Sequence, residues 1–396
     1  MKRVYITTAV VCLALLLVFA TVFSAWDGPP VESVLKVGFL YANDDLTPYT
    51  HNFALTEQEL IRAYGDRVEV LALNNVPEQE SEEPLRELAR KGCGIIFIYS
   101  RTPQAVSLAS EFPQTQFCQV SRSDAPQVQA PENYHTFNAA VHEARYVAGI
   151  AAGMKLRQML DRGMIRPEEA LVGFVGANDG PEVLSAATAF LLGVRSVAPE
   201  ATMRLRYTGA WCSYSHEKAC AMALIDEGCR IIAQHTATIG PSVACEETFN
   251  RKRVYHVGQD QSLIDIAPAS TLVSVRVNWT PYVVGAVGAL LNRRPIERQV
   301  RGRVRGRDIC AGFDREWVQV LELNQQNAVE GTREALDKAV EALRKGSLEV
   351  FTGPYTGVNP RDPSDTVDLS EGWRENAEGS APGFHYLLEN VMQAEA

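Results

Sequence analysis

The chain has 396 residues, of which 46% are hydrophobic and 22% charged, and its formal net charge at pH 7 is -10. This length exceeds that of one typical hydrophobic core, so we expect two lobes or domains, and the composition excludes an intrinsically disordered chain. The negative charge argues against a nucleic-acid partner, because the phosphates would be repelled.

The N-terminal segment is typical of a secreted or membrane-attached protein. Lys2 and Arg3 precede an apolar run that ends at Ala25, which is the pattern of a secretory signal. The run is also about 20 residues long, which is enough to span a bilayer as an uncleaved anchor. Residues 1–25 are therefore predicted to be a cleaved signal peptide or a retained anchor, and either places the rest of the chain outside the cytoplasm.

Short apolar strands alternate with helices along two stretches of the chain, after a Pro-containing linker at 27–33. The first stretch predicts strands at 35–41, 68–73, 94–99 and 116–120, and helices at 54–64, 82–91 and 105–111. The second predicts helices at 141–160, 183–197, 216–227 and 283–291, and strands at 171–175, 204–207, 230–234, 254–257 and 271–275. Such alternation is typical of βαβ units and parallel sheets. It predicts an α/β fold with two doubly wound lobes and a cleft between them.

The C-terminal part of the sequence changes character. A helix rich in Glu, Lys and Arg is predicted at 331–345, between glycines of the kind that end helices. Beyond Phe351 the sequence is polar and rich in Pro and Gly, so mostly loop is expected there, with a short apolar segment at 386–392.

The cysteine content of the sequence leaves any disulfide pairing open. The seven cysteines after the N-terminal segment are Cys93, Cys118, Cys212, Cys220, Cys229, Cys245 and Cys310. An odd number leaves at least one thiol unpaired within the chain. Several of them are expected to be small buried hydrophobic residues.

The sequence contains no motif typical of an enzyme, a cofactor site or a metal site. It lacks a GxSxG elbow, a P-loop, an HExxH motif and a GxGxxG after the first strand, and no Cys/His spacing suggests zinc. Asp44 and Asp45 form the one carboxylate pair near a strand end that could act as acid and base. A solvated turn is the simpler interpretation of that pair, so neither enzymatic activity nor a cofactor is predicted.

Polar and aromatic residues follow the predicted strands, at the position where ligands bind in open α/β sheets. Tyr49 belongs to the loop after the first strand, and Trp279 lies near the predicted crossing between the lobes. The six candidate ligand-binding residues are Tyr49, Trp211, His235, Thr236, Asp260 and Trp279. The aromatic rings among them can stack on a flat ligand, although packing inside their own lobe is an open alternative for each.

Asp260 and His235 give the predicted site its hydrogen-bonding character. A carboxylate at a strand end can accept bonds from the vicinal hydroxyls of a sugar ring, and a buried charge without a partner would be costly. His235 donates or accepts depending on its tautomer, which suits the edge of a heterocycle, and a purely structural His235 is the alternative. No Arg cluster or Gly-rich nest accompanies these residues, so a flat, neutral or weakly polar ligand is expected rather than a phosphate.

Several segments between residues 35 and 354 occur in an order and spacing that is more specific than any one of them. They are LVGFVGANDGPEV, AFLLGVRSVAPEA, YTGAW, ALIDEGCRIIAQHT, VGQDQSLIDIAP, NWTPY and FTGP. Together they resemble the basic membrane protein family, the substrate-binding proteins of ATP-driven importers that are related to purine-nucleoside receptors. The resemblance implies a type I periplasmic-binding-protein fold, in which two lobes joined by a three-segment hinge close on a purine nucleoside or base.

The resemblance also implies a division of the chain and roles for the candidate residues. Lobe 1 would comprise 35–137 and 277–302, lobe 2 would comprise 138–276 and 303–360, and a tail would follow at 361–396. The residues with counterparts in the family are Trp211, His235 and Thr236 for a Trp and a Gln-His-Thr run, Asp260 for the acidic residue that binds ribose hydroxyls, and Tyr49 and Trp279 for two aromatic positions.

The implied function is that of an extracytoplasmic solute-binding protein that delivers its ligand to an ABC permease. The chain would be secreted, or held at the membrane by its N-terminal segment. Ala237 and Ser262 stand where relatives often have acidic residues, which leaves the ligand's identity open. Two alternatives also remain: a sensor module that signals to a membrane partner, and a nucleoside-processing enzyme that uses Asp44 and Asp45.

Overall fold

The structure, a computed structural model, describes residues 34–42, 47–99, 102–122, 130–304 and 306–395. The predicted signal peptide or anchor, the linker, and Asp44 and Asp45 lie outside these residues. Among the helices that are described, none combines the length and the apolar content that a bilayer crossing requires.

Strands and helices alternate along most of the described chain. The helices are α1 (Pro48–Tyr64), α2 (Glu82–Arg90), α3 (Ala105–Glu111), α4 (Val141–Asp161), α5 (Pro181–Arg195), α6 (Tyr214–Asp226), α7 (Gly240–Lys252), α8 (Thr280–Leu291), α9 (Ile296–Gln299) and α10 (Thr332–Arg344). The strands are β1 (Leu35–Leu40), β2 (Val68–Leu73), β3 (Cys93–Ile98), β4 (Gln116–Val120), β5 (Tyr134–Ala139), β6 (Leu171–Gly176), β7 (Thr202–Tyr207), β8 (Ile231–His235), β9 (Tyr255–Gln259), β10 (Thr271–Val277), β11 (Asp308–Ala311), β12 (Val318–Val320), β13 (Thr356–Asn359), β14 (Asp362–Asp368), β15 (Leu387–Leu388) and β16 (Met392–Glu395).

Two large sheets form the centres of the two lobes. The first has the spatial order β11-β5-β4-β3-β1-β2, and all of its strand pairs are parallel. The second has the order β12-β10-β9-β8-β6-β7-β16 and is parallel except for the edge strand β12. The predicted fold class, two doubly wound parallel-sheet lobes, is confirmed.

Helices cover both faces of each sheet, which explains why the central strands are continuously apolar. In β3, Ile95 and Phe97 face one hydrophobic core together with Phe53 of α1. The alternate residues Ile96 and Ile98 face a second core, which contains side chains of α2 and α3. Each face of the sheet therefore buries its own set of alternating side chains.

The chain passes between the two lobes three times. The crossings join β5 to α4, β10 to α8, and β11 to β12. Three neighbouring crossings are the arrangement of a hinge between two lobes. The observed connections therefore agree with the three-segment hinge that the resemblance implied.

The C-terminal third differs from the sequence prediction in two respects. Residues 308–311 form β11, which pairs with β5 in the first sheet, whereas the predicted division placed 303–360 in the second lobe. The strand is four residues long and begins with Asp, so it carries little apolar signal. The region beyond Phe351, predicted to be mostly loop, contains β13 to β16, and β16 extends the second sheet beside β7.

The buried cysteines are small core residues, as the sequence predicted. Six of them are almost fully buried and are not joined in disulfides: Cys93, Cys118, Cys220, Cys229, Cys245 and Cys310. Burial raises the pKa of several of these thiols, for example that of Cys93 to about 11. A raised pKa keeps the thiol protonated and poorly reactive near neutral pH.

Candidate functional site

A cavity of about 200 Å³ lies between the two lobes, at the carboxyl ends of both sheets. Its wall includes residues at or just after the ends of β3, β4 and β5 in one lobe and of β7, β8, β9 and β10 in the other. All six candidate residues line it: Tyr49, Trp211, His235, Thr236, Asp260 and Trp279. The structure thus brings the predicted positions together, and their roles toward a ligand remain predictions.

Asp260 is the most deeply buried of the three described carboxylates that line the cavity, and it is only 3% exposed. Its carboxylate oxygen Oδ1 accepts hydrogen bonds from the Asn52 amide and the Gln259 amide, both at 3.0 Å. Burial raises the pKa of Asp260 to about 6, although Arg145 and these hydrogen bonds act in the opposite direction. At neutral pH the group is an ionised acceptor with further lone pairs available.

The backbone of Asp260 has a left-handed conformation, with φ of 66°. The residue follows β9 directly, and its N–H donates to the carbonyl of Val275 in the neighbouring strand at 2.8 Å. A non-glycine residue at positive φ is uncommon, and such residues cluster at binding sites. The turn aims the side chain away from the sheet and toward the cleft, where Asn52 meets it.

The contact between Asn52 and Asp260 joins the two lobes directly. Asn52 lies on α1 of the first lobe and Asp260 follows β9 of the second, and the two residues are 208 positions apart in the chain. Both side chains are buried. The described arrangement is therefore one in which the lobes meet across the cleft.

His235 is held by a buried cation. Its ring atom Nδ1 lies 3.0 Å from Nη2 of Arg145, and the same nitrogen of Arg145 contacts Oε1 of Gln259. The pKa of His235 is far below its ordinary value, because the ring is buried and because Arg145 is close. His235 is therefore a neutral imidazole at physiological pH.

Aromatic rings line the cavity from both lobes. Trp211 is partly exposed and packs edge-on against His235, with ring centroids 5.7 Å apart. Tyr49 packs edge-on against Phe53 at 5.2 Å, and burial raises its pKa above the ordinary value. Flat rings on opposite walls suit a planar ligand, because offset and edge contacts between rings are favourable.

Trp279 is more deeply buried than the sequence alone could show. It is 2% exposed and stacks on Phe53, with ring centroids 5.5 Å apart. It also packs edge-to-face with Phe137, with ring centroids 5.4 Å apart. It lies just after β10, at one of the crossings between the lobes. The ring therefore packs in the aromatic core of the first lobe as well as lining the cavity.

Thr236 is buried and anchored by its neighbour in the strand. The amide of Gln234 donates to the Thr236 carbonyl at 3.2 Å and to its hydroxyl at 3.3 Å. Oε1 of the same Gln234 lies 3.0 Å from Nε2 of His256. These contacts hold the turn after β8 in a fixed shape, which positions His235 beside it.

Several residues of the cavity and its support were not predicted from the sequence. Asn138, Glu182, Asn376 and Pro382 line the wall, and Arg145 supports His235 from behind. Arg145 did carry a signal, because it is the one charged residue between Glu143 and Lys155 in an otherwise apolar helix. Asn376 and Pro382 carried none, since they belong to a region predicted to be loop.

A C-terminal segment, residues 373–386, connects both lobes at the cavity. Its Glu375 accepts hydrogen bonds from Ser185 of α5 at 2.9 Å and from the N–H of Phe384 at 2.9 Å. Its Ser380 bonds to Ser121, which follows β4, and donates from its N–H to Asp308 of β11 at 2.8 Å. The segment thus attaches to the second lobe through Glu375 and to the first through Ser380.

Few of the described residues that line the cavity are charged. Of the described lining residues, Arg122 is the one with a permanent positive charge, and it lies 3.9 Å from Glu78. Within the described parts of the chain, no cluster of three or more His, Cys, Asp or Glu could hold a metal ion. The cavity offers aromatic faces, a neutral imidazole and a carboxylate, which together suit a flat ligand with polar edges.

Comparisons with known proteins agree with this arrangement. The family model for PnrA-like ABC transporter substrate-binding proteins, called Bmp, matches residues 48–347. A purine-binding protein of Brucella abortus is 28% identical over 363 residues, which cover 90% of this chain and 93% of that protein. The match confirms the family resemblance that the sequence motifs indicated.

Two further proteins show how far the similarity extends. A Haloferax volcanii protein described as an ABC transporter glucose-binding protein is 28% identical over 264 residues, which cover 66% of this chain and 59% of that protein. A solved solute-binding protein of an ABC transporter system from Aeropyrum pernix K1 has a TM-score of 0.65 at 16% identity, and the match covers 83% of this chain and 95% of that one. The second comparison supports the two-lobe fold.

Proposed function

The chain belongs to the Bmp family of PnrA-like ABC transporter substrate-binding proteins, and from that premise we propose that it captures a purine nucleoside or purine base for an ABC importer. Substrate-binding proteins of such importers act outside the cytoplasm and bind small molecules. The finer assignment to purines is supported by the purine-binding relative from Brucella abortus and by the side chains that line the cavity.

One observation carries the proposal: the partly exposed ring of Trp211 packs beside His235 in the same cavity as the carboxylate of Asp260. An aromatic face can stack on a purine, an imidazole can bond to the edge of the base, and a carboxylate can accept from ribose hydroxyls. The three groups lie at or just after the carboxyl ends of β7, β8 and β9, so one ligand can meet all of them.

The charge of the cavity favours a nucleoside or base over a nucleotide. Among the described lining residues are the carboxylates of Glu78, Glu182 and Asp260 and one guanidinium, that of Arg122. A phosphate group would bring negative charge close to these carboxylates, which is unfavourable in a partly desolvated cleft. We therefore expect AMP and GMP to bind more weakly than adenosine and guanosine.

Closure of the two lobes is the proposed mechanism. A ligand held by Trp211, His235 and Asp260 of the second lobe would also touch Tyr49 and Trp279 of the first, so it would favour the closed arrangement by binding it better. The permease would recognise the rims of both lobes, since closure alone brings them into one joint surface. The N-terminal segment would secrete the protein or hold it at the membrane.

A ligand screen tests the proposal. The protein without residues 1–25 would be mixed with adenine, hypoxanthine, adenosine, guanosine, inosine, AMP, glucose and ribose, and its melting temperature would be measured. A ligand that binds only the folded protein raises the melting temperature by mass action. A shift with purines, confirmed by calorimetry and by a smaller radius of gyration in solution scattering, is expected.

Other outcomes of the screen would contradict the purine assignment. A shift with glucose or ribose alone would identify a sugar-binding protein instead. Release of free base from inosine, followed by chromatography over several hours, would identify an enzyme, and we expect the nucleoside to be recovered unchanged.

A further inference from the structure

Arg145 is a buried cation whose contacts set the direction of the hydrogen bonds in the cavity wall. The side chain is 0% exposed, and Asp260 is the carboxylate that interacts with it electrostatically. Its Nη2 approaches both Nδ1 of His235 and Oε1 of Gln259. A guanidinium has five N–H donors and no acceptor, and it does not lose its proton in proteins.

The first consequence concerns Gln259. Only the carbonyl oxygen of its amide can face Arg145, because the amide nitrogen would place donor against donor. The amide nitrogen Nε2 must then point the other way, where it lies 3.0 Å from Oδ1 of Asp260. Gln259 therefore donates a hydrogen bond to Asp260, and the carboxylate of Asp260 is the acceptor.

The second consequence concerns His235. Its Nδ1 must present a lone pair to the Arg145 N–H, so in the neutral ring the proton resides on Nε2. The structure gives the positions of the ring nitrogens but not of their hydrogens. Because arginine can only donate, the nitrogen that faces it must be the unprotonated one. His235 can then offer the cavity a donor and no acceptor.

We propose that Arg145 is a positioning residue that fixes the hydrogen-bond polarity of the binding site, so that His235 donates and Asp260 accepts. Where the ligand is concerned, the inference rests on the proposed function. A purine would place an unprotonated ring nitrogen or a carbonyl oxygen toward His235 and a hydroxyl or N–H group toward Asp260. A ligand with these groups exchanged would leave donors facing donors in a dry cleft, which is costly.

Nuclear magnetic resonance tests the tautomer without any ligand. Two-bond proton–nitrogen correlation spectra of protein labelled with ¹⁵N-histidine would be recorded at pH 7, and the His235 signals would be assigned by their absence in His235→Phe. We expect a neutral ring protonated at Nε2. A neutral ring protonated at Nδ1, or a charged ring, would overturn the inference.

Two substitutions test whether Arg145 is the cause. Arg145→Met keeps the length and apolar stem but has no donor, so the His235 signals should shift toward a mixture of tautomers. Arg145→Lys keeps a donor and should restore protonation at Nε2. Unchanged His235 signals in a folded Arg145→Met protein would show that Arg145 does not set the tautomer.

A ligand series tests the effect on recognition and does not depend on Arg145→Met being folded. Adenosine would be compared with 1-deaza-, 3-deaza- and 7-deazaadenosine, each of which lacks one ring acceptor. The analogue that lacks the atom facing His235 should bind about 10- to 100-fold more weakly than adenosine. In His235→Phe that difference should disappear, whereas equal affinities across the series in the parent protein would overturn the recognition claim.

The two proposals fail separately. Should no purine bind while His235 is protonated at Nε2 through Arg145, the purine assignment fails and the positioning role of Arg145 stands. Should purines bind while His235 is protonated at Nδ1, the positioning role fails and the proposed function stands.

Discussion

Trp211 and Trp279 line the same cavity but differ in how much of the fold depends on them. Trp211 is partly exposed and its ring contacts His235. Trp279 is 2% exposed and packs against Phe53 and Phe137. The first ring is therefore accessible at the cavity wall, and the second supports the core from which the cavity is built.

Replacing the two tryptophans should separate these roles. Trp211→Ala is expected to weaken purine binding by about 1–3 kcal/mol, the value of one aromatic stacking contact, with little change in the free energy of unfolding. Trp279→Ala should cost about 3–5 kcal/mol of folding stability, as removal of a buried large ring does. Calorimetric titration and urea unfolding measure the two quantities, and an equal stability loss in both variants would contradict the distinction.

Ligand binding should depend on the protonation of Asp260. Burial raises the pKa of this carboxyl from 3.8 to about 6, so it gains its proton at a higher pH than an exposed Asp and then no longer accepts as a carboxylate. As the pH falls below 6, nucleoside affinity is expected to fall by about tenfold per pH unit. Titrations between pH 5 and 8 measure this, with free bases as the comparison.

Asp260→Asn provides the control for that pH dependence. The variant cannot ionise at this position, so its nucleoside affinity should be low and nearly constant between pH 5 and 8. His235 does not contribute in this range, because its pKa lies far below the ordinary value. A pH profile in Asp260→Asn that matches the parent would assign the dependence to another group.

At the residue level, the sequence revealed the candidates that follow strands and missed those that depend on distant contacts. Asp260 follows an apolar run, so its place at the cleft was predictable. Asn52 was not, because its partner lies 208 positions away in the chain. Arg145 was missed because a charge in an apolar helix does not reveal which lobe's strands it will contact.

At the level of elements, α4 and α5 cross so closely that their backbones touch. A Cβ on Gly193 would lie 2.0 Å from the carbonyl oxygen of Tyr146, and one on Gly149 would lie 2.2 Å from the carbonyl oxygen of Phe190. Neither glycine has a positive φ, so each is required for the crossing and not for its backbone conformation. The crossing fixes the positions of Arg145 on α4, which contacts His235, and of Ser185 on α5, which lines the cavity.

Gly193→Ala should therefore destabilise the protein, although alanine favours an isolated helix. Forcing the two backbones apart is expected to cost about 2–3 kcal/mol of unfolding free energy. Gly285→Ala in α8 is the comparison, because its Cβ would lie 2.8 Å from a side-chain methyl group of Val300 and would meet no backbone atom. It should cost less than Gly193→Ala, since a side chain can shift more easily than a packed backbone. Urea unfolding compares the two, and equal values would contradict a rigid crossing.

The elements that the sequence predicted are those with long apolar signals. Most central strands were predicted within two residues of their observed ends, since burial on both faces leaves a continuous apolar run. Helix α7 was missed because it begins with Gly240 and Pro241, which suggest a break, although proline is tolerated in a first turn. The polar β14 was missed because nearly all of its residues are exposed or half-buried, so no alternation marks it.

At the level of the whole molecule, the C-terminal segment 373–386 connects the two lobes. It bonds to Ser185 in one lobe and to Ser121 and Asp308 in the other. The Bmp family model ends at residue 347, so this link lies beyond the matched region. Opening of the cleft therefore requires either a change of shape in the segment or the loss of one attachment.

Ser380→Ala should loosen the attachment to the first lobe. The variant loses the hydroxyl that bonds to Ser121 and Asp308, which should cost about 1 kcal/mol of interaction free energy. Amide hydrogen exchange of residues 376–384 should therefore become faster. The bound purine should also dissociate several-fold faster, as measured by stopped flow. Ser364→Ala is the control, since that hydroxyl donates to Asp362, two residues away in the chain, and not to the other lobe within the described structure. Identical exchange in the two variants would show that the attachment does not restrain the lobe.

Strand β16 also covers an edge of the second sheet that could otherwise pair with another copy of the chain. β16 lies parallel to β7 along its full length, from the pair Met392 and Arg204 to the pair Glu395 and Tyr207. Without it, β7 would present an unsatisfied row of N–H and C=O groups, which is the usual template for aggregation. A chain that ends at Val391 is expected to self-associate in light scattering, and an affinity tag is better placed away from this end.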